Sequence, residues 1–177
     1  KYNALASFWL GEIAYSKGDS DEAMRRYGNF MARAPRTGKE YAMAQYNIGY
    51  CHFNNNDYSA AADAFDKFLS LYTQKDSYAA DALNRRGDVH YAMREFDAAV
   101  KSYNKSAALG TSERYYAAYQ RALVLGYQGK TNDKIAALSN IVRDDRGDYV
   151  DAATYELGRT YIVDEQYDKG VKTLEEF

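Results

Sequence analysis

The side chains able to do chemistry in this sequence are few, and they lack the company that chemistry needs. His52 and His90 are the only histidines, and Cys51 is the only cysteine. A metal site needs more ligands converging, and on a helix Cys51 points about 100° away from its neighbour His52. A nucleophile needs a base oriented on it by a third group, and neither histidine lies in such a motif. Both histidines therefore read as packed side chains. Carboxylates are plentiful, as at Asp144, Asp145, Asp148, Glu175 and Glu176, but such charges usually stand in solvent on loops and outer faces. Arg146-Gly147-Asp148 spells an adhesion tripeptide, and Arg86-Gly87-Asp88 repeats it inside a helical pattern where it cannot be extended. Asn104-Lys105-Ser106 matches a glycosylation acceptor in mid-helix. All three read as coincidence. No Gly-rich loop opens a helix after a strand. The expectation is a chain without catalytic residues, metal or cofactor.

The elements that carry these residues recur along the chain. Gly11, Gly49, Gly87, Ala122 and Gly158 are spaced by 38, 38, 35 and 36 residues. Twelve residues after each stand Ala23, Ala61, Ala99, Lys134 and Gly170, and four further on Tyr27, Phe65, Tyr103, Leu138 and Leu174. Turn and cap residues fall between, as in Gly18-Asp19-Ser20, Asn54 to Asp57, Gly129-Lys130-Thr131 and Asp164. The pattern predicts five helix-turn-helix units, with a Gly or Ala of the first helix set against the small residue of the second and the large residue filling the flank. Expected helix pairs are 3–16 with 20–33, 40–53 with 58–71, 78–92 with 96–108, 113–127 with 132–144 and 149–162 with 167–177.

The order Leu10, Gly11, Ala23, Tyr27, Pro35 resembles the tetratricopeptide repeat, and the resemblance covers the whole chain. It implies an all-α, right-handed superhelical solenoid over residues 1–177, with repeats at about 4–41, 42–79, 80–114, 115–150 and a truncated 151–177. The slot for Trp holds Ser7, Gln45, Leu83, Ala118 and Thr154, and the slot for Tyr holds Ala14, His52, His90, Leu125 and Tyr161. Lys134 breaks the small-residue rule, so a shifted second helix is expected in the fourth repeat. The long first periods suggest an extended second helix or connector at Arg36 to Tyr41 and Gln74 to Tyr78. Val171, Leu174 and Phe177 are expected to await a partner, as in a fragment of a longer array. Segments such as Tyr41 to Tyr50 are similar to long-period repeats of bacterial outer-membrane assembly lipoproteins and Tol-Pal accessory proteins. That likeness implies a periplasmic or outer-membrane-associated setting, with the cytoplasm as alternative.

Composition agrees with a folded helical chain. Of 177 residues 46% are hydrophobic and 27% charged, with 19 Tyr, 27 Ala and a single Pro. The formal charge of -2 offers no basic footprint for nucleic acid. The longest stretch without Asp, Glu, Lys or Arg, Tyr41 to Asn56, is too short and polar to cross a bilayer.

In the resembled family the first helices line a ligand-facing groove. With repeats counted from Ala4, Ala42, Ala80, Tyr115 and Asp151, that stripe falls at positions 2, 5, 9, 12 and 13, and 10 of its 25 residues are aromatic, or 40% against 15% for the chain. The groove candidates are Phe8 and Glu12, Tyr46 and Tyr50, Asn84 and Asp88, Tyr116 and Tyr119, Tyr155 and Arg159. At the twelfth position Tyr15, Phe53 and Tyr91 either face the groove or pack on the next repeat. The fifth position, with Phe8, Tyr46, Tyr119 and Tyr155, is expected to be exposed. Carboxylate-clamp residues are missing at positions 5 and 9 of the first three repeats, so apolar, aromatic or mildly basic peptide segments are the expected ligands. A protein or peptide partner is implied, without direct membrane insertion, and self-association through the terminal repeats is also expected. The alternatives are an architectural spacer, or a glycan-binding solenoid using Glu12, Asp81 and Asp88.

Overall fold

Alanine-rich stretches with apolar residues three and four apart fold as helices that bury one stripe each. The computed structural model describes residues 2–144 and 146–175, and ten helices, with no strand, account for most of those residues. They pair as α1 (Tyr2–Ser16) with α2 (Ser20–Met31), α3 (Lys39–Asn54) with α4 (Tyr58–Leu71), and α5 (Ser77–Ala92) with α6 (Phe96–Ala107). The last two pairs are α7 (Arg114–Tyr127) with α8 (Thr131–Asp144), and α9 (Val150–Val163) with α10 (Tyr167–Glu175). Each described helix limit lies within two residues of its expected place. The fold is an all-α helical repeat solenoid. Expectations that fell on Asp145, Glu176 and Phe177 lie outside the described residues.

A three-residue turn joins the helices of each pair, and its middle residue is left-handed every time: Gly18, Asn56, Arg94, Gly129 and Glu165. The next amide donates back to the last turn of the preceding helix, to the carbonyls of Ala14, His52, His90, Leu125 and Tyr161, closing Schellman-type ends. Asp19 and Asp57 then accept from Glu22 N and Ala60 N to start the second helix.

The glycines are used differently from the expected small-on-small contact. A Cβ on Gly87 would lie 2.5 Å from the Tyr103 ring, one on Gly49 2.8 Å from the Phe65 ring, and one on Gly11 2.6 Å from the Tyr27 ring. The large side chain therefore sits directly on the glycine. In the fourth pair Ala122 and Leu138 hold the equivalent places, both fully buried. Lys134 does not shift α8, because its aliphatic stem crosses Gly126, 2.8 Å from where a Cβ would stand. The extra residues of the first two periods sit mainly in the first helices, α3 and α5 having 16 residues where α7 and α9 have 14. Leu174 is not without a partner, since it covers Gly158.

Each junction between pairs has its own apolar cluster, in which the second helix of one pair meets the first helix of the next. Stability is thus a sum of pair and junction contributions.

Candidate functional site

First helices of neighbouring pairs touch along one side of the rod, α1 with α3 and α5 with α7. The groove tyrosines there do not present free hydroxyls. Tyr46 donates to Asp81 Oδ2 at 2.6 Å, and Tyr50 donates to the same oxygen. Arg85 lies 3.5 Å from Asp81 Oδ1 and 2.7 Å from Asp88 Oδ2. Asp88 Oδ1 in turn accepts from Tyr103 at 2.7 Å and from Tyr116 at 2.8 Å, while the Arg85 guanidinium stacks on the Tyr116 ring. Seven side chains from α3, α5, α6 and α7 form this one network. Nearer the first repeat, Glu12 accepts from Tyr27 at 2.8 Å and from Asn47 at 2.6 Å.

The electrostatics follow from burial. Loss of solvent, then the Asp81 carboxylate, push the Tyr46 and Tyr50 hydroxyls well above the ordinary tyrosine value, so both remain donors. Burial works to weaken the Arg85 charge, but Asp88, Tyr116, Tyr50 and Asp81 together outweigh it and raise the guanidinium. Burial also lifts the Asp88 carboxyl above its ordinary value, although Arg85 and the two tyrosines pull it down.

Of the ten groove candidates, two are buried in the packing, against expectation. Phe8 is 5% exposed and packs against Tyr27 and Phe30, because its ring fills the space where α1 meets α2. Asn84 is 1% exposed and donates to the Glu113 carbonyl ahead of α7. Tyr46 and Tyr50 share Asp81, and Asp88 holds Tyr116. Tyr119 stacks on Tyr149 at 5.4 Å. Tyr155 is half exposed, with the Arg159 guanidinium 5.8 Å from its ring centre. At the twelfth position Phe53 packs on Tyr58 and Tyr91 on Phe96 and Tyr127.

Tyr119 and Arg159 come together in a cleft of about 560 Å³ between α7, α8 and α9. Leu123, Tyr127 and Val163 give it apolar walls. Across its floor Lys134 Nζ meets Glu156 Oε1 at 2.6 Å, and Arg159 reaches Glu156 Oε2 at 3.3 Å. Glu156, Asn47 and Arg85 occupy the sixth position of their repeats, which the expected stripe passed over. The signal was present, since that position is polar in four of five repeats: Trp9, Asn47, Arg85, Gln120 and Glu156.

The histidines serve turns. His90 Nδ1 lies 2.6 Å from Glu95 and His52 Nδ1 3.4 Å from Asp57, each carboxylate belonging to the residue whose amide donates to that histidine's own carbonyl. Among the described residues no three His, Cys, Asp or Glu side chains gather as a metal-ligand set. Glu12, Asp81 and Asp88 are taken up by the chain's own donors, which leaves them poorly placed to receive sugar hydroxyls.

Paired helices stacked into a solenoid, their first members bridged by polar side chains, define an α-helical repeat protein of the scaffold type. Patterns described as tetratricopeptide repeat match residues 5–37, 25–80 and 80–109, together more than half of the chain. The chain belongs to the tetratricopeptide repeat family. Solved structures share the fold at low identity. A crystal structure of MamA is 21% identical over 97% of this chain and 88% of its own, with a TM-score of 0.79. YrrB, described as a TPR protein with an unusual peptide-binding site, is 19% identical over 97% and 83%, with a TM-score of 0.74. The C-terminal part of a TPR repeat-containing protein of Cytophaga hutchinsonii is 17% identical over 95% of this chain and 64% of that one, with a TM-score of 0.77. No curated protein matches the chain.

Proposed function

We propose that the chain is a non-catalytic scaffold that holds an extended segment of a partner protein along its first helices, anchored in the cleft between α7, α8 and α9. The observation that carries this reading is the cleft itself, about 560 Å³ with Tyr119, Leu123, Tyr127 and Val163 around the Lys134–Glu156–Arg159 chain. An apolar or aromatic side chain of the partner fills it, and its backbone carbonyls accept from Arg159. Because the neighbouring tyrosines are already tied to carboxylates, the receptor loses little side-chain freedom on binding. The peptide site named for YrrB, a protein of the same fold, supports the reading. Its test is selection of a random peptide library on the immobilised chain, followed by calorimetry of the selected peptides. Leu123→Asp and Tyr119→Ala should each weaken binding at least about tenfold, as loss of a central anchor does. Peptides that bind both variants as well as the parent chain would place the site elsewhere.

A further inference from the structure

The cleft between α7, α8 and α9 is rich in donors and poor in open acceptors. Both of its carboxylates are engaged: Glu156 takes Lys134 on one oxygen and Arg159 on the other, and Asp164 accepts from Gln166. The Thr160 hydroxyl turns inward and donates to the Glu156 carbonyl. Against these stand the further N–H groups of the Arg159 guanidinium and two tyrosine hydroxyls. Tyr119, on the cleft wall, stacks on Tyr149 at 5.4 Å, and Tyr149 meets the Tyr116 ring edge-on at 5.8 Å. Tyr116 gives its hydroxyl to Asp88, but neither Tyr119 nor Tyr149 makes a side-chain hydrogen bond among the described residues. Both rings are half-buried at the junction of the fourth and fifth repeats, where the chain continues on either side.

The apolar side of the cleft has a direction. Tyr119, Leu123 and Tyr127 follow one another at four-residue steps along α7, a row of about 12 Å. A segment that fits must bring carbonyls and apolar rings but few N–H groups, because an amide buried against donors is left unpaired. Proline has that chemistry: it keeps the carbonyl and lacks the N–H. Runs of proline are already ordered as polyproline II helices, in which residues three apart return to one face after about 9 Å, and such helices dock in aromatic-lined grooves. One turn of that helix fits between the outer rings of the α7 row.

Resting on the peptide-holding function proposed above, we infer that the cleft takes a proline-rich segment of the partner in the polyproline II conformation. Prolines three apart lie on Tyr119 and Tyr127, and carbonyls between them accept from the Tyr119 and Tyr149 hydroxyls and from Arg159.

Calorimetric titration of the chain with an oligoproline peptide of about nine residues, three turns of the helix, tests this. A Gly/Ser peptide of equal length carrying two leucines supplies an apolar anchor without the proline backbone. Oligoproline should bind, and the leucine peptide at least about tenfold more weakly. Leu123→Asp should weaken oligoproline at least about tenfold. Tyr119→Phe and Tyr149→Phe keep the rings and remove only the hydroxyls, so each should weaken it about two- to tenfold, the range for one hydrogen bond; circular dichroism confirms the fold of all three variants. A leucine peptide that binds as tightly as oligoproline, or oligoproline binding that ignores both Tyr→Phe variants, would overturn the proline assignment. Library peptides that lose affinity on Leu123→Asp, in a chain to which oligoproline does not bind, would overturn it while leaving the peptide-holding function in place. A chain to which neither oligoproline nor any library peptide binds in the cleft would overturn both.

Discussion

Tyr103 is 1% exposed, with its ring on Gly87 and its hydroxyl on Asp88, so the backbone of α5 and the carboxylate of the next residue constrain one side chain from two directions. A methyl group at residue 87 would overlap a ring that cannot swing aside. Gly28, on α2, has nothing within 4 Å of where its Cβ would stand. The two glycines should therefore respond oppositely to alanine. Gly87→Ala should cost about 1–3 kcal/mol from overpacking, less the gain in helix propensity. Gly28→Ala should stabilise by roughly 0.8–1 kcal/mol, because only the propensity changes. Urea unfolding of both variants measures the difference, and a loss of stability in Gly28→Ala would refute the distinction. The glycine period was visible in the sequence, but spacing could not say what rests on the glycine. For the same reason Phe8 and Asn84 shared a stripe with Tyr46 and Asp88 yet turned into the packing, since a stripe some 100° wide admits both neighbours of the groove edge.

At the scale of elements, helix limits were legible because turn and cap signals and apolar periodicity agreed, from Asp19 to Asp164. What the pattern hid was how odd residues are accommodated. Arg94 and Glu165 take the left-handed turn position without being glycine, held by the backbone bonds that close each helix end. Asp76 shows how a connector is locked: it accepts from the amides of Tyr78 and Ala79 at the start of α5 and from the Tyr72 hydroxyl at 2.6 Å. Partial burial works to raise its carboxyl, but the Tyr72 hydroxyl and the two amides outweigh burial and hold it below 3.8. A depressed carboxylate stabilises the fold above its unfolded value and loses that contribution as pH falls through the lower folded value. Asp76→Ala should thus cost about 1–2 kcal/mol at neutral pH, as loss of a good N-cap does. The gap to the parent chain should close as the pH drops below 3.8. Unfolding midpoints measured across that range decide it, and a gap independent of pH would remove the carboxylate from the account.

Across the whole molecule, apolar junctions join pair to pair, and polar bridges add a second set of links between first helices: Asn47 to Glu12, Tyr46 and Tyr50 to Asp81, Tyr116 to Asp88. Among the described residues Arg85 alone is seen to touch both central carboxylates, so it couples the second, third and fourth repeats. In a linear array cooperativity depends on neighbour coupling exceeding the instability of any one repeat. Arg85→Ala leaves Asp81 and Asp88 short of their cation inside a half-buried network, which should cost about 3 kcal/mol, the lower end for breaking a buried pair. That loss is concentrated at the middle of the array, where it severs the two halves rather than fraying an end. The parent chain should then unfold in urea in one transition, while Arg85→Ala should show a shallower or divided one, with α1 to α4 and α7 to α10 losing hydrogen-exchange protection at different denaturant concentrations. A shift of the midpoint with unchanged slope would mean that the apolar junctions alone transmit cooperativity and that the network serves the groove wall only.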